Sequence, residues 1–107
     1  MLKIDAKTFE TEVANCELPV LVDFYADWCG PCKRMEPFLE KVSNDFSGKV
    51  KFVKINSDEN QQFVSGFHVK GLPTLIMFRG GKEVDRRLGQ QSEQDIHKLV
   101  NGVLAQQ

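Results

Sequence analysis

"LVDFYADWCGPCK", Leu21 to Lys33, places one carboxylate, Asp23, in an apolar run that leads to two cysteines three positions apart, Cys29 and Cys32. The run from Val20 to Ala26 is short, bounded by Pro19 and Asp27, and rich in β-branched and aromatic residues, so it reads as a buried central strand. A strand that had only to pack would carry Val or Ile at position 23. Burying a carboxylate costs several kcal/mol or forces it to hold a proton. A solvated strand-end residue is the alternative, and three apolar residues on either side of Asp23 argue against it.

Working outward, Met35, Phe38, Leu39, Val42 and Phe46 recur at helical spacing, so a helix follows the cysteines at once. Pro37 inside that pattern removes a backbone donor and predicts a kink. Val50 to Asn56 reads as a second buried strand. Asp58 is the expected cap of a short helix carrying Phe63, Val64 and Phe67. Thr74 to Phe78 is a third apolar strand, and Gly80-Gly81 is a two-residue turn that returns Val84 to Leu88 antiparallel to it. Ser92 with Asp95 forms a capping-box pattern before the stripe Ile96, Leu99, Val100, Val103 and Leu104. Upstream, Leu2 to Ile4 fits a short edge strand, and Asp5 to Thr8 offers caps for a first helix. The order β-α-β-α-β-α-β-β-α predicts an α/β domain with a mixed five-stranded sheet and four helices over both faces.

The 107 residues suit one domain over 1–107, with eight Phe giving its core bulk. Net charge is −1 and both signs are scattered, so nucleic acid and membrane surfaces are poor partners. No apolar run approaches the roughly 18 residues of a membrane span, and Met1 to Asp5 lacks a signal-peptide profile. Cytoplasmic residence and a monomer are the expectations. Three cysteines are too few for a disulfide framework, which leaves the C-x-x-C pair as catalytic or metal-binding.

Trp28-Cys29-Gly30-Pro31-Cys32 falls at a strand-to-helix junction. There, free backbone N–H groups and the helix macrodipole stabilise a thiolate at Cys29, and Lys33 and Arg34 add positive charge. Residues i and i+3 face the same way, so the two sulfurs can bond without backbone movement. Gly30 permits the turn, and Pro31 suits the first turn of a helix. Cys32, one turn deeper, is expected to be the less exposed thiol. A zinc or iron–sulfur site would need more soft ligands than Cys16, His68 and His97 supply, so no metal is expected. A purely structural bridge closes too small a loop to stabilise much. Cys16 reads as an inert packed thiol, His68 and His97 as surface or satisfied residues whose partners the sequence does not identify, and Arg86-Arg87 as a solvated face.

The W-C-G-P-C pentapeptide after Asp23-Phe24-Tyr25-Ala26 resembles the thioredoxin family. Lys54-Ile55-Asn56-x-Asp58, Gly71-Leu72-Pro73-Thr74, Phe78-x-x-Gly81 and Gly89 extend the resemblance through nearly the whole chain. It implies a thioredoxin fold and a general protein disulfide reductase. In that role Cys29 is the nucleophile, Cys32 the resolving thiol, Asp23 the buried proton acceptor for Cys32, and Lys54 the residue that moderates Asp23. Without the resemblance, Lys54 would equally suit a lysine snorkelling from a strand. Cysteines in such settings have pKa values lowered from about 8.5 to roughly 3.5–7.5, a range that thioredoxin itself helps define. The resemblance also implies a cis peptide before Pro73, with the Leu72 backbone left to pair with an extended substrate. Trp28, Gly30, Pro31, Gly71, Leu72, Pro73 and Gly89 would then form a flat docking patch for protein disulfides. No dinucleotide motif is present, so no bound cofactor is expected and electrons must come from a separate reductase, which the resemblance implies is a thioredoxin reductase. Gly-Pro between the cysteines resembles reducing members over oxidising or isomerising ones. Tyr25 and Ser57 depart from the commoner pattern, which bears on partner preference. A binding module using the patch, with redox incidental, is the rival from outside the enzyme class.

Overall fold

The computed structural model describes residues 1–106. Its strands are β1 (Leu2–Ile4), β2 (Val20–Tyr25), β3 (Lys51–Asn56), β4 (Thr74–Arg79) and β5 (Lys82–Leu88). Its α-helices are α1 (Gly30–Asp45), α2 (Gln61–Ser65) and α3 (Glu93–Leu104). The strands form one sheet in the order β1-β3-β2-β4-β5. β1, β3 and β2 run parallel, and β4 and β5 are antiparallel additions. This is the mixed sheet that the sequence predicts, with α1 as the crossover between β2 and β3.

Strand alternation sorts the core into two layers. Leu21, Phe52, Leu75 and Met77 pack with Met35, Leu39 and Val42 of α1 and with Ile96, Leu99, Val100 and Val103 of α3. The intervening residues Val20, Val22, Phe24, Val53, Ile55, Ile76 and Phe78 face the other side. There they meet Val13, Val64 and a cluster of rings from Phe9, Phe63 and Phe67 at 5–6 Å spacings. Asp23 and Lys54 alternate in step with Leu21 and Phe52, so both belong to the face that α1 covers.

Three details differ from the sequence reading, and α1 is continuous through Pro37. The first helix is a single π-helical turn, Glu10–Ala14. The segment after β3 begins as a 3₁₀ turn, Asp58–Asn60, and Phe67 lies beyond the end of α2. Asp58 is also not its cap: the Asn56 side chain accepts from the Asp58 and Glu59 amides at 2.9 and 3.2 Å. Asn is as good a turn initiator as Asp, and the Asp58 carboxylate is engaged elsewhere.

The Gly80-Gly81 turn has φ of 60° and 81°, both in the left-handed region that a two-residue type I′ hairpin requires. A bulge between Met77 and Phe78 offsets the register of β5. At α3 the capping box forms as expected, with Asp95 N–H donating to Ser92 Oγ at 3.0 Å and Ser92 N–H to Asp95 Oδ2 at 3.1 Å.

Candidate active site

The cysteines sit where β2 hands the chain to α1. Cys29 has extended backbone geometry and is the N-cap of α1, with Gly30, Pro31 and Cys32 forming its first turn. The Cys32 amide donates to Cys29 Sγ at 3.2 Å. A sulfur in this position takes the place of a Ser or Asp cap oxygen, and it receives both an orphan amide and the positive end of the helix dipole. Negative charge on that sulfur is thereby stabilised.

Cys29 and Cys32 are joined as a disulfide with Cα atoms 5.3 Å apart, inside the range that a bridge needs. The expected contrast in exposure is not present in this closed form, where Cys29 is 2% exposed and Cys32 4%. Bonding turns the sulfurs toward each other, and Ala26, Tyr25 and Leu72 pack around them. Cys16 lies apart, half-buried against the opposite core layer.

Beneath the pair, Asp23 is 3% exposed and its Oδ1 has no hydrogen-bond partner. A cavity of about 160 Å³ lies between it and Cys32, lined also by Tyr25, Ala26, Asp27, Lys33, Glu36 and Lys54. Burial, reinforced by the negative charge of Glu36 and opposed by Lys54, pushes the Asp23 carboxyl up to about 7. Lys54 is the direct neighbour of Asp23 in the β2–β3 register. Its ammonium, however, pairs with Glu36 at 3.1 Å and lies 5.4 Å from the Tyr25 ring centre. Burial works against the Lys54 charge, but Glu36, Tyr25 and Asp23 outweigh it and raise its pKa.

Glu36 escaped the sequence reading. The signal was there: it lies one helical turn past Cys32, on the same stripe of α1.

Around the sulfurs, Trp28 is 71% exposed, and its Nε1–H donates to Asp58 Oδ2 at 2.8 Å, which pins the ring. The Leu72–Pro73 peptide is cis. Neither backbone polar group of Leu72 has a partner among the described residues. Gly89 N–H donates to the Pro73 carbonyl at 2.8 Å, and a side chain on Gly71 would meet Leu88 at 3.3 Å. Leu88, 60% exposed, adds an apolar side chain that the sequence reading omitted.

Two other side chains gain identified partners. His97 has a partner, Asp45 at 3.0 Å, on α1 far along from the cysteines. Arg86 is not simply solvated: it grips Glu83 and donates to the Phe67 carbonyl at 2.8 Å.

The family profile described as Thioredoxin matches residues 1–102. The chain is 42% identical over 87 residues to "Thioredoxin 1" of Nostoc, covering 81% of each chain. It is 39% identical over 101 residues to the thioredoxin of Haemophilus influenzae, covering 94% of each. The thioredoxin of Rickettsia felis is 39% identical over 94 residues, which is 88% of this chain and 90% of that one.

Proposed function

Because the chain belongs to the thioredoxin family, and so is a protein disulfide reductase working by dithiol–disulfide exchange through Cys29 and Cys32 with a separate thioredoxin reductase to restore the dithiol, we propose the following roles for its residues. Cys29 thiolate, stabilised by the Cys32 amide and the dipole of α1, attacks one sulfur of a substrate disulfide. A mixed disulfide forms and the first substrate sulfur leaves as a thiolate. The Cys32 thiol gives its proton to the Asp23 carboxylate across the intervening cavity, which has room for a bridging water. Cys32 thiolate then attacks Cys29 Sγ and expels the second substrate sulfur. Two electrons pass to the substrate, and the protein is left with the Cys29–Cys32 bond.

The observation that carries these roles is the pairing of an unpartnered, buried Asp23 oxygen with Cys32 on one small cavity. An Asp23 carboxyl near 7 is matched to proton transfer at neutral pH. Lys54 tempers the Asp23 charge from the adjacent strand only in part, because its ammonium pairs with Glu36. Trp28, Gly30, Pro31, Gly71, Leu72, Pro73 and Gly89 form the docking face, and the free Leu72 amide and carbonyl pair with an extended substrate segment. The protein acts as a monomeric cytoplasmic carrier, and its near-neutral charge supports the absence of nucleic-acid and membrane-surface partners. No described helix is long and apolar enough to cross a membrane.

The test is insulin disulfide reduction with NADPH and a thioredoxin reductase, with mass spectrometry of the products. Cys29→Ser abolishes turnover and forms no adduct. Cys32→Ser also stops turnover but accumulates a covalent mixed disulfide at Cys29. Adducts at Cys32 in the Cys29→Ser variant, or undiminished turnover in either, would reverse the assigned order of attack.

A further inference from the structure

We propose that Glu36 is a positioning residue for the proton transfer at Cys32: its carboxylate holds the Lys54 ammonium on the outer side of the cavity, so that Asp23 is left without a cationic partner. The proposal rests on the reading of Asp23 as the proton acceptor and adds to it the residue that keeps that acceptor basic.

The geometry is a competition of two carboxylates for one cation. Asp23 and Lys54 are register neighbours on the face under α1, and a lysine there has an obvious partner in Asp23. Its ion pair is nevertheless with Glu36, at 3.1 Å, and Asp23 Oδ1 stays unpaired. Glu36 can reach because Cys32 and Glu36 are four residues apart on α1, so both overhang the same patch of sheet. Its side chain is 48% exposed and that of Lys54 22%, so the pair sits at the mouth of the cavity while Asp23 lies at its floor.

The charged and titratable groups facing Asp23 are Glu36 and Lys33 from α1, Lys54 from β3, and Tyr25 and Asp27 from β2 and the loop after it. Lys33 and Asp27 are exposed, and their fields are screened. The balance is therefore set by Glu36 and Lys54. With Glu36 ionised and bound to Lys54, the cation's pull on Asp23 is largely cancelled. Without that charge, Lys54 is free to pair with Asp23, and an acceptor so paired is a weaker base for the Cys32 proton.

The experiment compares wild type with Glu36→Gln, Glu36→Asp, Lys54→Met and Glu36→Gln/Lys54→Met. Two readouts are taken: the NMR titration of the Asp23 side-chain carboxyl carbon, and the pH profile of single-turnover resolution of the mixed disulfide. In Glu36→Gln the Asp23 midpoint moves down by about one pH unit, and the acid limb of the resolution profile moves with it. Glu36→Asp, which keeps the charge, stays close to wild type. In the Lys54→Met background the shift on Glu36→Gln shrinks to less than half. An unmoved midpoint in Glu36→Gln, an equal shift in Glu36→Asp, or an undiminished shift without Lys54 would each overturn the assignment. Asp23→Asn separates the two levels. A resolution profile indifferent to Asp23→Asn removes the acceptor reading and this inference with it. A profile that depends on Asp23 but ignores Glu36→Gln removes this inference alone.

Discussion

A carboxyl that titrates near 7 when buried in the folded chain, against about 4 when unfolded, binds its proton more tightly in the native state. The sign follows. Below about pH 4 Asp23 is neutral in both states and costs little. As pH rises from 4 to 7, the unfolded chain gives up the proton first, and stability is lost across that window. The loss amounts to about 4 kcal/mol by pH 8. Asp23→Asn cannot ionise, so urea denaturation at pH 4 and pH 8 gives a stability difference for this variant smaller than wild type's by about that amount. At pH 8 the variant is the more stable protein, and slower in mixed-disulfide resolution. Asp23 was legible because a carboxylate inside seven otherwise apolar residues has no packing rationale. Glu36 was not, because a glutamate on a helix surface is ordinary until the strand beneath it is known to carry Lys54.

At the scale of elements, the first turn of α1 and the β4–β5 hairpin both depend on residues chosen for backbone geometry. Gly80 and Gly81 share the strain of left-handed φ, but their surroundings differ. A Cβ on Gly80 meets nothing, whereas one on Gly81 comes within 3.2 Å of the Ala14 Cβ. Both alanine variants lose about 1 kcal/mol to backbone strain. Gly81→Ala loses about 1 kcal/mol more, because the π-helical turn must give way. Equilibrium denaturation of the two variants checks the difference. Ser92→Ala removes one half of the α3 capping box and costs about 1 kcal/mol by the same measurement. Capping signals were legible where side chain and helix start are adjacent, as at Ser92. They misled at Asp58, since Asn56 and Asp58 are equally suited to cap and only the position of Trp28 decides which one is free to do so.

At the scale of the whole molecule, the site lies where the parallel strands β2 and β3 end and α1 begins, the usual place for chemistry in open α/β sheets. The two core layers, between which β2, β3 and β4 alternate, emerge only in the fold, but the element order was readable in the sequence from apolar runs, helical spacing, turns and caps. The ties between layers were not, since they join residues distant in sequence. Arg86 is the clearest: it reaches from β5 to the Phe67 carbonyl beyond α2 while held by Glu83. Arg86→Lys cannot reproduce that fork, so it loses about 1–2 kcal/mol, and amide exchange quickens around residues 66–69. The molecule also holds a single tryptophan, Trp28, adjacent to Cys29 and clamped to Asp58. All indole emission from the molecule therefore originates beside the reactive sulfurs. Any difference in that emission between the oxidised and reduced forms reads this one site alone, so the chain carries its own optical gauge of the Cys29–Cys32 pair.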